Sequence, residues 1–166
     1  MTTLLELTKE MELEARTTRN MLSRVPADKF NWQPHPKSMT LGRLATHVAE
    51  IPGWVTITLT TSQLDIGKDD DYKPFVAENP EALSSYFEEQ LSGGLSHLAD
   101  AEEAELAKEW TLLSKGHAVS VQTKAEVIRM AYCQIVHHRA QLGVFLRLLD
   151  VPIPGSYGPS ADEGNF

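Results

Sequence analysis

The stretch from Thr123 to Leu149 constrains this chain more than any other. Thr123 and Glu126 have the spacing of a capping box, in which each side chain accepts a hydrogen bond from the other residue's backbone N–H. Beyond it Val127, Ala131, Leu142, Phe145 and Leu149 recur at helical spacing and predict one long amphipathic helix. The middle of the same stripe carries Gln134 and His138, which at i and i+4 lie one above the other on the face expected to be buried. Two large polar groups left unpaired there would cost a few kcal/mol, so something must satisfy them.

Three further helices are expected. The first opens at Thr3, with Thr3 and Glu6 as a second capping box, and carries Leu4, Leu7, Met11, Met21 and Leu22 to about Arg24, stopping near Pro26. A connector over 25–38 contains three prolines, which forbid a continuous helix. Phe30 and Trp32 are expected to anchor it, and His35, between two prolines, reads as an exposed loop residue. Ser38 or Thr40 caps the second helix, whose stripe is Leu41, Leu44, Val48, Ile51, Val55 and Leu59. His47 lies beside that stripe, and Glu50, three residues on, can bond its ring. Pro52 removes one backbone hydrogen bond, which predicts a kink rather than an end. Trp54 then packs or lines a pocket.

From Asp65 to Asn79 the chain is polar around Asp69-Asp70-Asp71. An EF-hand needs alternating ligands, a central Gly and a distant Glu, so this run reads as a solvated loop. Asn79-Pro80-Glu81 begins a third helix, with Leu83, Phe87, Leu91, Leu95 and Leu98 carrying it to about Ala101. Gly93-Gly94 inside it marks close approach to a neighbour. Residues 102–122 read as a short helical turn near Glu105–Trp110 and then a small hairpin or irregular crossover around Ser114-Lys115-Gly116, with His117 inside it. After Asp150 the prolines and glycines predict an extended tail docked on the helices. The expected architecture is an all-α four-helix bundle, a single domain over 1–166 with a tail over 150–166.

Composition narrows the function. The net charge of −8 over 166 residues gives no electrostatic footprint for nucleic acid or anionic lipid. No apolar run approaches the roughly 18 residues of a membrane span, and the first residues do not read as a signal peptide. A single cysteine, Cys133, rules out a disulfide within the chain and fits a reducing cytoplasm. Metal sites in bundles are built from inward side chains on facing helices, and His47, Gln134 and His138 fit that plan. Three neutral donors with an open position make a Lewis-acid site able to activate water or a thiol. Cys133 and His137, also at i and i+4 but one step round the helix, form a competing pair. Each of these residues taken singly is more often structural than functional.

Three strings carry a resemblance. The first is Trp32-Gln33-Pro34-His35-Pro36-Lys37-Ser38-Met39-Thr40-Leu41-Gly42, running into Leu44-Ala45-Thr46-His47-Val48-Ala49-Glu50-Ile51-Pro52-Gly53-Trp54. The second is His137-His138-Arg139-Ala140-Gln141-Leu142, and the third is the tail from Val151 to Glu163. In these strings and in helix order the chain resembles the DinB family of DinB/YfiT-like four-helix-bundle metalloenzymes. The resemblance implies a divalent metal, zinc or nickel, held by three histidines, one from the second helix and two at i and i+4 of the last. His47 and His138 match two of them, and Gln134 stands where the third would be. Gln134 then ligates through its amide oxygen, hydrogen-bonds a metal water, or leaves the site empty. His137 corresponds to a position beside the ligand. By resemblance the chain is a metal-dependent enzyme, a hydrolase or thiol-dependent transferase, acting on a small electrophile with water or a low-molecular-weight thiol. Glu50 orients His47 or serves as the base, and Arg139 stabilises an anion or makes a surface pair. The alternative is a non-catalytic bundle that binds a small ligand or a structural metal. A homodimer through faces carrying Trp54, Leu59 or Phe87 suits either reading.

Overall fold

The structure is a computed structural model that describes residues 2–67 and 74–164, so Asp69-Asp70-Asp71 lie outside the described residues. It is mostly helical, with α1 (Thr3–Leu22), α2 (Leu41–Glu50), α3 (Gly53–Thr60), α4 (Pro80–Asp100) and α5 (Lys124–Leu148). A small sheet is added by β1 (Gln63–Asp65), β2 (Glu109–Ser114) and β3 (His117–Thr123). The helical expectation holds with two differences: the second expected helix is divided at Pro52, giving five helices among the described residues, and the hairpin expected before the last helix gains β1 as a third strand.

The helix ends follow local chemistry. Thr123 accepts from the Glu126 N–H while Glu126 accepts from the Thr123 N–H, so the capping box forms as expected. Thr40 caps α2 by accepting from Arg43, and Asn79 caps α4 by accepting from Ala82, with Pro80 in the first turn. At α1 the cap is Thr2, not Thr3. Its hydroxyl accepts from Leu5, and Glu103 of a short 3-10 helix (Glu103–Ala107) takes the Leu4 N–H at 2.8 Å. A distant side chain therefore satisfies an orphan donor of the first turn.

Pro52 interrupts the second helical run. Ile51 and Pro52 keep right-handed helical backbone, but the i→i−4 ladder gives way to i→i−3 bonds from Trp54 to Ile51 and from Val55 to Pro52. Proline supplies no N–H and its ring crowds the preceding turn. The result is a bend that divides the run into α2 and α3. The connector before it is held as expected: Leu41 and Gly42 donate to the carbonyls of Trp32 and Phe30, and Trp32 stacks edge-on against Phe145.

Within the helical core, α1 packs against α4 and α5, and α2 and α3 pack against the same two helices from the other side. Leu44, Val48, Leu83, Phe87, Leu98, Ile128, Leu142 and Leu146 are buried between them. Each such side chain stabilises the fold by roughly 1.5–3 kcal/mol relative to exposure. Phe87 therefore belongs to the core and offers nothing to a partner, which corrects its place on a dimer face. Gly94 lets α4 approach closely: an added Cβ would stand 2.4 Å from Met11 Cε and 2.8 Å from the Pro52 carbonyl oxygen. No described helix is long and apolar enough to cross a membrane.

The crossover before α5 is a hairpin whose turn residues Lys115 and Gly116 both have positive φ, the pattern of a type I′ turn. β1 was not expected from the sequence. It pairs parallel with β2, Leu64 opposite Leu112, and Asp65 accepts from the Lys115 and Gly116 N–H groups, which fixes the hairpin tip. Trp110, buried in β2, donates to the Thr61 hydroxyl at 3.0 Å.

Replacing Gly94 tests the close packing. Gly94→Ala gains some helix propensity but drives a Cβ into a backbone carbonyl, and overpacking of that kind costs about 1–3 kcal/mol. Urea unfolding is expected to show a net loss for Gly94→Ala and a milder effect for Gly93→Ala, whose Cβ would meet only the Thr56 hydroxyl at 3.3 Å.

Candidate functional site

Helical spacing on α2 puts Arg43, His47 and Glu50 on one face. Glu50 is buried and accepts from His47 Nδ1 in a short hydrogen bond, while Arg43 Nη2 reaches the same carboxylate oxygen at 3.4 Å. A carboxylate can only accept here, so Nδ1 of His47 carries a proton and, in the neutral ring, Nε2 keeps its lone pair.

Helix α5 presents a matching ring. His138 Nδ1 lies 3.0 Å from Gln141 Oε1, and Gln141 Nε2 lies 3.1 Å from His137 Nε2. The amide oxygen requires a proton on His138 Nδ1, which leaves His138 Nε2 open as well. The His47 and His138 rings stand 4.5 Å apart between centroids, at 72°. Burial pushes the His138 pKa down, and the nearby His47, His137 and Arg43 push the same way against the Gln141 bond. His138 is thus a neutral imidazole near pH 7, the form that ligates a metal.

Both rings line a cavity of about 390 Å³ with Gln134, Met39, Ile51, Trp54, Leu112 and Met130. Leu112 comes from β2, so the sheet forms part of the wall. A cavity of about 420 Å³ reaches His138 from the side of Lys37, Gln141 and Phe145. A cavity of about 540 Å³ lies between α5 and the tail and is lined by no His, Cys, Asp or Glu.

The sequence expectation about α5 needs one correction. Gln134 is exposed and His138 half-buried, so they stand at the edge of the buried stripe and not in its middle. The middle is held by Arg139, 2% exposed, which the sequence placed in a surface pair or on an anion. Arg139 pairs with Glu14 at 2.7 Å and donates to the Thr18 and Tyr157 hydroxyls at 3.0 and 2.8 Å. Gln134 therefore has no burial penalty to relieve, and what it shares with the two rings is a cavity wall. Among the described residues no three His, Cys, Asp or Glu side chains cluster closely enough to hold an ion. A third donor would have to be the Gln134 amide or a water.

The competing pair is not brought to this cavity. Cys133 and His137 are exposed and line a separate cavity of about 290 Å³ with Glu10, Glu14 and Arg129. His117 is exposed on β3, and the exposed His35 accepts from the Lys37 N–H. Two site residues were missed from the sequence: Gln141, signalled by its i+3 spacing from His138 and i+4 from His137, and Arg43, signalled by its i−4 spacing from His47.

Comparison with known proteins adds the lineage. A family model described as the DinB family matches residues 1–165. The uncharacterized protein YrdA of Bacillus subtilis (strain 168) is 25% identical over 159 residues, covering 93% of this chain and 88% of its own. The crystal structure of a DinB-like protein from Bacillus cereus ATCC 10987 superposes with a TM-score of 0.70 at 17% identity, covering 91% of this chain and 95% of its own. A DinB-like protein from Bacillus subtilis, YjoA, superposes at 0.66 with 12% identity, covering 96% and 99%. At those identities the two structures share the fold alone.

The ring assignments are testable by nitrogen NMR. His138 is expected as the Nδ1–H tautomer at neutral pH, and Gln141→Leu should shift it towards Nε2–H. An unchanged tautomer in that variant would mean the Gln141 bond does not set the ring.

Proposed function

The chain belongs to the DinB family, and from that premise we propose that it is a metal-dependent enzyme acting on a small electrophilic substrate, by hydrolysis or by transfer to a low-molecular-weight thiol. The five helices are read as a four-helix bundle in which α2 and α3 share one position. Its site is the cavity between α2 and α5. The observation that carries the reading is the pair of adjacent imidazoles, each with Nδ1 already committed and Nε2 left open.

The donor set suits a divalent zinc or nickel ion. His47 and His138 would hold it through Nε2, with the Gln134 amide oxygen as a third donor, directly or through water. Two neutral nitrogens and an oxygen suit borderline cations better than calcium or magnesium. When bound, the ion supplies Lewis acidity that lowers the pKa of water or a thiol beside it.

The chain's own residues do the rest. Glu50 fixes the orientation and tautomer of the His47 ring, as carboxylates behind metal-binding histidines do. Gln141 does the same for His138 through a neutral and weaker partner. Trp54, Ile51, Met39 and Leu112 give the cavity an apolar wall that limits water and strengthens every electrostatic contact inside. Glu50 is read as a positioning residue, because its carboxylate already serves His47 and Arg43.

Elemental analysis of protein purified without an affinity tag is expected to give close to one equivalent of zinc or nickel. His47→Ala and His138→Ala should abolish it. Glu50→Gln should weaken binding about 10–100-fold, the usual effect of removing a partner behind a ligand. Gln134→His should tighten binding. Protein that carries no metal, and melts unchanged after chelation, would favour the non-catalytic bundle.

A further inference from the structure

Three cavities meet at the imidazole pair, and their walls differ in charge. His138 borders the cavity of about 420 Å³ that carries Lys37, and His47 borders one of about 190 Å³ that carries Arg43, Glu50 and Asp65. The cavity of about 390 Å³ touches both rings and has no Lys, Arg, Asp or Glu in its wall. Apart from the rings and the Gln134 amide, that wall is the Trp54 indole, the thioethers of Met39 and Met130, and the aliphatic Ile51, Leu112 and Ala131.

A charged group seated there gives up its water and meets no Lys, Arg, Asp or Glu in exchange, whereas an uncharged apolar group gains by leaving water. The volume lies near the lower end of the roughly 300–1,000 Å³ of small-molecule pockets, which suits one ring with short substituents. Methionine is unbranched and repacks around different outlines. With Met39 and Met130 in the wall, the cavity selects by size and lack of charge more than by exact shape.

We propose that the reacting end of the substrate is joined to an uncharged apolar ring, seated in this cavity against Trp54, Leu112 and the two methionines. This rests on the reading of the site given above and names the class of its substrate. The ring binds through the chain's own apolar side chains, whether or not an ion is present.

The test uses metal-free protein, so that failure of the metal reading and failure of this one are told apart. Protein with methyl-labelled methionines is titrated with benzyl alcohol and followed by NMR, with benzoate and benzylammonium as charged arms at constant ionic strength. The expected result is a saturable shift of the Met39 and Met130 methyls, with the core residue Met11 unmoved. Benzoate and benzylammonium should bind about tenfold more weakly or worse, because each brings a charge. Leu112→Gln should weaken benzyl alcohol binding. If that variant does not fold, Met39→Gln, in the partly exposed segment before α2, takes its place with Met130 as the reporter. No saturable shift of Met39 and Met130, equal binding of the charged arms, or affinity unchanged in the folded variant overturns the proposal. So does a shift of Met21 instead, which would seat the ring in the cavity under the tail.

Discussion

The rotation of α5 about its own axis depends on Arg139. Its guanidinium is buried, and every partner it has lies towards α1 or the tail: Glu14, Thr18 and the Tyr157 hydroxyl, which itself donates to Glu14 at 2.7 Å. A buried charge stripped of its partner costs about 3–5 kcal/mol, so α5 cannot roll without a penalty comparable to a large part of the whole stability. Successive residues of a helix are separated by about 100°. With Arg139 turned to α1, His138 is carried round to α2, where His47 stands. The position of the site is thus a consequence of a salt bridge that takes no part in it.

A second constraint then sets the rings themselves. His47 is held by a carboxylate and His138 by an amide, each through Nδ1. The two supports differ in strength, so the rings differ as donors: His47 is backed by charge, whereas His138 has a neutral partner and is kept neutral chiefly by burial. Around them the wall draws on α2, α3, α5 and β2, which come from well-separated parts of the chain. Asp65, by tying β1 to the hairpin tip, keeps Leu112 on that wall.

What the sequence revealed follows the range of the interaction. The Thr123–Glu126 cap, the Asn79-Pro80 helix start, the bend at Pro52 and the Lys115-Gly116 turn are local, and their residues spell them out. At the start of α1 two adjacent threonines offer the same local cap; Thr2 takes it through the Leu5 N–H, and the Leu4 N–H goes to Glu103, 99 positions away and invisible to a local pattern. β1 was missed because three residues, Gln63-Leu64-Asp65, are too few for an alternation to be read and gain strand character only by parallel pairing with a distant segment. On α5 the spacing of Gln134 and His138 was read correctly, but the stripe was centred on the wrong residues. Arginine is almost never fully buried unless paired, and the pairing lay in Glu14 and Tyr157, out of sight of a local pattern. The convergence of residues 47, 134 and 138 on one cavity was legible. The supports behind the rings were legible at Glu50 and overlooked at Gln141.

On the proposed function, His47 and His138 form one binding unit through their two free Nε2 atoms. Anomalous diffraction at the zinc edge from crystals soaked in a zinc salt measures this directly. The account predicts a single strong peak between the two rings, with both Nε2 atoms at the zinc–nitrogen bonding distance of about 2.0–2.1 Å. A peak on Cys133 and His137 instead, or no peak between the two imidazoles at saturating zinc, would contradict it.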